Sequence, residues 1–486
     1  MNFIFINPDE MRAESLGCYG HPLVKTPNFN KLAEEGVRFD QCHVTHTVCS
    51  PSRCSFLTGW HPHVHGHRSL WHLLKPDEPN LFKYLSNAGY DIIWYGKNDA
   101  FAPETFEGIV TQTIHDVITQ DDNEKIRSGY RNAGNPFSEE DPMYYSFLYE
   151  EMNEYDETSD YVNVRKAIDY IKSNPENPFI LYLPTLMPHC PYHAPRGYHD
   201  MYAPDEIPEL RPVCDDGKPI FYDRIRKTRN LDKVSDRQLK DINAKYLGMI
   251  SYVDSIYGEL IEALEETGMI EDTAIFVFSD HGDWAGDYGL VEKWPSGLDD
   301  TLTRVPLIAK IPGGAEGHVV HNCVQHFDIM PTVLQLAGIK AEHTMSARSL
   351  VPQLFGEEGD PDRAVFAEGG YNPPQDNWCF EGRECVQISL LDKTHIYYPK
   401  VKLQQDEPES VCRSTMIRTN EYKLIYRTDD INELYDLRTD PLELNNVYKN
   451  SEYKEIQISL EKQMLEWYIE TADAPEWHNH PRDFEK

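Results

Sequence analysis

Residues 49–59 read Cys49-Ser50-Pro51-Ser52-Arg53-Cys54-Ser55-Phe56-Leu57-Thr58-Gly59, and they fix the frame for the rest of the chain. On local chemistry alone this is a proline-led helix start. Pro51 is welcome in a first turn, where a missing N–H leaves no hydrogen bond unmade. A cysteine beside such a start is ordinary. Upstream, Phe3–Asn7 is a continuous apolar run suited to a buried strand, and Thr26-Pro27 opens a helix through Leu32 and Ala33 that Gly36 closes. Downstream, the helix Leu81–Ala88 stops at Gly89 and the strand Asp91–Tyr95 follows. Ser159–Ile171 is helical, Pro178–Leu183 is a strand, Ile242–Leu264 is a long helix ended by Gly268, and Ala274–Phe278 is again a strand. Val305–Ile311 and a helix over Ile329–Leu336 complete the alternation. Strands alternating with amphipathic helices predict the α/β class, a mainly parallel central sheet with helices on both faces.

The chain of 486 residues is long enough for one large domain and a smaller one. A catalytic domain over 1–370 and a C-terminal α+β part over 371–486 are expected, because short strands with turns replace the α/β rhythm past about residue 365. There, Arg418–Tyr426 leads into Glu433–Leu437, the Asp440-Pro441 turn and a helix over Tyr453–Trp467, predicting a small antiparallel sheet carrying one helix. Two stretches break the rhythm, 101–157 and 190–235, and with 60–75 they are candidates to shape a substrate mouth.

A hydrophobic content of 40% and an aromatic content of 12% suit a packed globular protein. Against 81 acidic side chains stand 46 basic ones, a formal net charge of −35, which argues against nucleic acid and anionic membranes as partners. The ten cysteines show no paired spacing, as expected of reduced thiols. Asn2-Phe3-Ile4-Phe5-Ile6 is too short and uncharged for a signal peptide, so a cytoplasmic location is expected, or a periplasmic or secreted one if a leader has been trimmed.

Cys49-x-Pro51-x-Arg53, extended through Thr58-Gly59, resembles the signature of the sulfatase family, and the resemblance runs over nearly the whole chain. It implies an alkaline phosphatase-like sandwich. It also implies that Cys49 is oxidised to formylglycine by a formylglycine-generating or anaerobic sulfatase-maturating enzyme. The hydrated aldehyde would attack sulfur with one hydroxyl and collapse the covalent intermediate with the other. Pro8-Asp9-Glu10-Met11-Arg12 resembles the family's D-D-x-R segment and Ser279-Asp280-His281-Gly282 its S-D-H-G loop. Asp9, Glu10, Asp280 and His281, with the modified Cys49, are therefore the implied metal ligands, Glu10 departing from the pattern by one methylene. Oxygen-rich ligation points to calcium first, with manganese or magnesium as alternatives.

By the same resemblance Arg53 orients formylglycine, Lys97 and Lys293 hold the sulfuryl group, and His189 of Pro188-His189-Cys190-Pro191 protonates the leaving oxygen. Asp99 stands where the family's G-K-W-H segment has histidine, a clear departure. The alternating His61, His63, His65 and His67 look like metal ligands but fall in a family loop, so no separate zinc site is expected. Trp60, His67, Arg68, Trp71 and His72 are candidates for the substrate entrance or for core packing.

The expected activity is hydrolysis of a sulfate monoester on a carbohydrate or aryl group, in a protein that can form homo-oligomers. Phosphonate monoester or phosphodiester hydrolysis is the alternative, and a non-catalytic binding protein with unmodified Cys49 is an alternative of another class.

Overall fold

A computed structural model of the protein describes residues 1–122, 134–152, 155, 158–214, 216–372, 376 and 392–474. Parts of the expected excursions over 101–157 and 190–235, and parts of the expected 371–486 region, lie outside these residues. The main sheet is built from β1 (Asn2–Ile6), β2 (Val37–His43), β3 (Asp91–Trp94), β4 (Gln112–Thr113), β5 (Phe179–Leu183), β6 (Thr273–Phe278), β7 (Arg304–Val305), β8 (Leu307–Lys310) and β9 (His318–Gln325). Their order is β4-β3-β5-β1-β6-β8-β2-β7, with β9 beside β2. From β4 to β6 every pairing is parallel, and β8 then runs antiparallel to both β6 and β2.

β1, β5 and β6 are buried from end to end apart from Asn2, which explains their unbroken apolar sequences: a strand covered on both faces has no water-facing side. Their register matters for function. Ile6 lies opposite both Leu183 and Val277, so the three strands end level with one another. The segments that follow, 7–10, 184–190 and 279–283, emerge along one edge of the sheet, where open α/β sheets bind ligands.

Helices cover both faces. On one side, α1 (Pro27–Glu34), α3 (Ser159–Lys172) and α4 (Asp236–Thr267) share a core with Ile4, Ile6, Leu181 and Val277. On the other, α2 (Cys49–Thr58) and α5 (Ile329–Leu336) pack through Phe56, Leu57 and Val333 against Phe5, Phe276 and Phe278. α4 starts six residues before the Ile242 at which its apolar period becomes visible. Its first turn is polar, and Ser235 caps it by accepting from the Gln238 N–H.

The small sheet is antiparallel, β10 (Val365–Gly369), β11 (Ser414–Arg418), β12 (Tyr422–Arg427) and β13 (Glu433–Asp436) in that order. The stretch Arg418–Tyr426 contains the hairpin turn, held by the Thr419 hydroxyl accepting from the Tyr422 N–H at 3.0 Å. α7 (Lys454–Glu470) lays Leu460, Met464 and Trp467 on Ile417, Leu424 and Leu434. Before this sheet's second strand comes α6 (Tyr398–Asp406), which the sequence did not announce. No helix among the described residues is long and apolar enough to cross a membrane, and the eight described cysteines form no disulfide.

Candidate active site

Cys49 is the first residue of α2, after Val48 in an extended conformation. The helix thus begins where the chain turns out of its preceding loop, and the positive end of its dipole faces the level ends of β1 and β6. Cys49 Sγ lies 3.2 Å from His281 Nε2, 3.6 Å from Lys97 Nζ and 3.7 Å from Asp9 Oδ1. Asp9, Cys49, Asp280 and His281, all buried, each offer a ligand atom within 4.8 Å of the others. Four of the five expected ligands are thereby brought together.

Glu10 is apart from them. Its φ is 64°, a left-handed conformation that costs a non-glycine residue about 1–2 kcal/mol. That twist sends its carboxylate away from Asp9, onto Lys293 Nζ and within 3.5 Å of His189 Nε2. Only its backbone N–H reaches the ligand group, donating to Asp280 Oδ1 at 3.3 Å.

Arg53, one turn into α2, is locked from all sides. Its Nε donates to Asp280 Oδ2 at 2.9 Å, and Nη1 donates to Asn7 Oδ1 at 2.9 Å and to the Tyr182 hydroxyl at 2.8 Å. The loop after β6 is held against the loop after β1 by Arg12, which donates to Asp287 Oδ2 at 2.5 Å. Gly282 is required there, because a Cβ would collide with the Thr301 carbonyl oxygen.

The electrostatics follow from burial and neighbours. Burial alone would raise Asp9, but Lys97, His189, Arg53 and His281 together hold it well below the usual carboxylate range. Burial pushes Glu10 well up, with Lys293 opposing and Asp283 adding to the rise. Burial and then Asp9 also push the Cys49 thiol well above its ordinary value. His189 is held well below the usual imidazole range by burial and then Lys293. Its Nδ1 contacts the Cys190 carbonyl at 2.5 Å and its Nε2 faces Lys293 Nζ at 3.0 Å, an arrangement that puts the ring proton on Nδ1.

Of these groups Cys49, Lys97, His189 and Lys293 line a cavity of about 340 Å³. Ser50, Leu70, Trp71, Asp99 and Glu292 continue its wall, and Tyr397, Lys400 and Val401 close it from α6 and the residue before it. Lys400 Nζ donates to Glu292 Oε1 at 2.6 Å, and Arg229 holds the other oxygen at 2.9 Å. Of the expected entrance residues Trp71 lines the cavity. Trp60 instead stacks on His65 at 4.1 Å, and its indole donates to the Thr344 carbonyl.

The histidine row gathers no ligand group. His61 accepts from Trp467 and His63 pairs with Glu368 at 2.6 Å, while His65 and His67 both face Glu78, at 3.7 and 3.2 Å. Glu292, Tyr397, Lys400 and Val401 escaped sequence reasoning. Glu292 adjoins Lys293 and was within reach, whereas the α6 residues carry no local pattern.

Residues 1–339 match the sulfatase family, and residues 388–470 match a family described as N-sulphoglucosamine sulphohydrolase, C-terminal. A multifunctional alkaline phosphatase superfamily protein of Trinickia caryophylli is 26% identical, over 97% of this chain and 94% of its own. An N-acetylglucosamine-6-O-sulfatase of Bacteroides thetaiotaomicron is 24% identical, over 96% of this chain and 85% of its own. Among solved structures, the phosphonate monoester hydrolase of Agrobacterium radiobacter superposes with a TM-score of 0.75 at 23% identity, over 97% of this chain and 96% of that one. With the mostly parallel sheet, the small antiparallel sheet and a family match over more than half of its length, the chain belongs to the sulfatase family of sulfuric ester hydrolases, within the alkaline phosphatase-like superfamily.

Proposed function

We propose that the protein hydrolyses a sulfate monoester at a formylglycine made from Cys49. The observation that carries this reading is the position of Cys49 Sγ: it heads α2 on a cavity floor, within 3.7 Å of Asp9, Lys97 and His281 together. The encoded thiol is a poor nucleophile there, because burial and Asp9 keep it protonated. Formylglycine would supply the geminal hydroxyls needed for attack and for collapse.

The donor set suits a hard divalent cation, calcium first and manganese or magnesium after it: two carboxylates, one of them held strongly ionised, and one imidazole. Asp9, Asp280 and His281 would hold the ion beside the modified Cys49, where it would lend Lewis-acid charge stabilisation. Glu10, expected among these ligands, we assign to holding Lys293.

Lys97 and Lys293 flank the cavity floor and would meet the charge that grows on the sulfuryl oxygens. Burial and then Lys293 disfavour the protonated form of His189. An entering anion favours its protonated form, and Lys293 Nζ at 3.0 Å is the adjacent proton reservoir, so we assign leaving-group protonation to this pair.

A specific observation supports the second reading, phosphonate monoester or phosphodiester hydrolysis: Asp99 replaces the expected histidine, and one relative is described as multifunctional. Protein isolated from its native host, with its maturation machinery, separates the two when assayed on matched aryl sulfate and aryl phosphonate esters. Turnover of the sulfate that disappears in Cys49→Ala supports the first reading. Faster turnover of the phosphonate favours the second, and turnover retained in Cys49→Ala defeats both.

A further inference from the structure

Lys97 is shared between two carboxylates. Its Nζ lies 2.7 Å from Asp9 Oδ2 and 2.8 Å from Asp99 Oδ2, with Cys49 Sγ at 3.6 Å. An ammonium has three donor hydrogens, and all three directions are taken. The two acids differ in placement. Asp9 is fully buried beneath the cavity lining, whereas Asp99 is 23% exposed and lines the cavity wall. On the opposite side Lys293 is likewise matched, by Glu10. An anion seated over residue 49 therefore meets Lys97 with the Asp99 charge immediately beside it.

That repulsion scales with the charge of the guest. A dianion in the same seat experiences twice the unfavourable interaction of a monoanion, while shape and hydrogen bonding stay alike. A sulfate monoester carries one negative charge, and so do a phosphonate monoester and a phosphodiester. A phosphate monoester near neutral pH carries close to two, and free sulfate, the product, carries two.

We infer that Asp99 is a charge-selecting residue beside Lys97, admitting singly charged esters, disfavouring dianionic phosphate monoesters and easing release of the dianionic product. The link to turnover rests on the proposed sulfate-ester reaction. The selection itself is a property of binding and is tested without turnover.

The test is direct titration of metal-loaded protein with inorganic sulfate, a dianion, and sulfamate, a monoanion of similar shape. Wild type, Asp99→Asn and Asp99→Glu are compared. In Asp99→Asn the ratio of the two affinities shifts toward sulfate by on the order of tenfold, as loss of one nearby charge requires. Asp99→Glu, which keeps the charge, retains the wild-type ratio. An unchanged ratio in Asp99→Asn overturns the inference, as does an equal shift in Asp99→Glu, which would trace the effect to shape. Absence of binding of either anion to all three proteins overturns it too, since a seat for one sulfuryl group is its premise. If the ratio shifts while no sulfate ester is hydrolysed, the proposed reaction falls and charge selection stands. If sulfate esters are hydrolysed and the ratio stays put, charge selection alone falls.

Discussion

Two clusters of buried charge lie on either side of this molecule's functional boundary. At the site, Asp9, Asp280, Glu10, Arg53, Lys97 and Lys293 are paired with one another around Cys49, and Cys49, Lys97 and Lys293 line a cavity. Between the main body and the small sheet, Lys423 Nζ bridges Asp300 at 2.6 Å and Glu443 at 2.5 Å, with Arg418 3.4 Å from Asp300. The second cluster is as buried as the first and as rich in shifted ionisation, yet its charges are closed upon one another. Buried charge and perturbed pKa values therefore do not by themselves mark chemistry. What distinguishes the first cluster is a nucleophile position at a helix start and an open face toward a guest.

Four substitutions press on that contrast. Cys49→Ala is expected to lower kcat/KM by on the order of 10⁴-fold or more, as loss of a covalent nucleophile does. Its unfolding free energy should change by no more than about 1 kcal/mol, by urea titration. Lys423→Met inverts the pattern. It strands Asp300 and Glu443 and should cost about 3–5 kcal/mol of stability, with activity per folded molecule kept. Lys293→Ala removes a cation facing the transferred group and should lower kcat/KM by about 10²–10³-fold, read in steady-state assays.

The smallest effect is a pH slope. Burial raises Glu443 from 4.5 to about 7, while Lys423 opposes the rise and Asp300 adds to it. Between pH 4.5 and about 7 the folded protein keeps a proton that the unfolded chain has released, so this group's contribution to stability falls as pH rises through that window. Glu443→Gln should flatten that part of the stability profile. Asp300, held well below its ordinary value by Lys423 and Arg418 against burial, acts in the opposite sense and only at lower pH. An unaltered slope between pH 4.5 and 7 in Glu443→Gln would remove Glu443 as its source.

The same contrast shows what was legible in the sequence. β1, β5 and β6 declared themselves because strands covered on both faces are apolar throughout, and Asp9, Cys49, His189 and Asp280 follow strands or head a helix in recognisable local patterns. β2 and β9 did not. Val-Arg-Phe-Asp-Gln-Cys-His and His-Val-Val-His-Asn-Cys-Val-Gln mix polar and apolar residues because these strands lie toward the outer part of the sheet. The turn of Glu10 away from Asp9 is a backbone conformation that no residue type encodes. Tyr397, Lys400 and Val401 reach the cavity from a helix some 350 positions beyond Cys49 through tertiary packing alone. The interface ion cluster was invisible for the same reason.

The most direct measurement is the mass of the tryptic peptide Phe39–Arg53 from protein made in its native host. It contains Cys49 and also Cys42, a buried thiol outside the site that serves as an internal control. Conversion of Cys49 exchanges sulfur and two hydrogens for one oxygen and leaves an aldehyde that captures a hydrazine. The predicted result is that mass change, assigned by fragmentation to residue 49 and not 42. Unmodified cysteine at 49 in protein that hydrolyses sulfate esters would contradict the formylglycine reading.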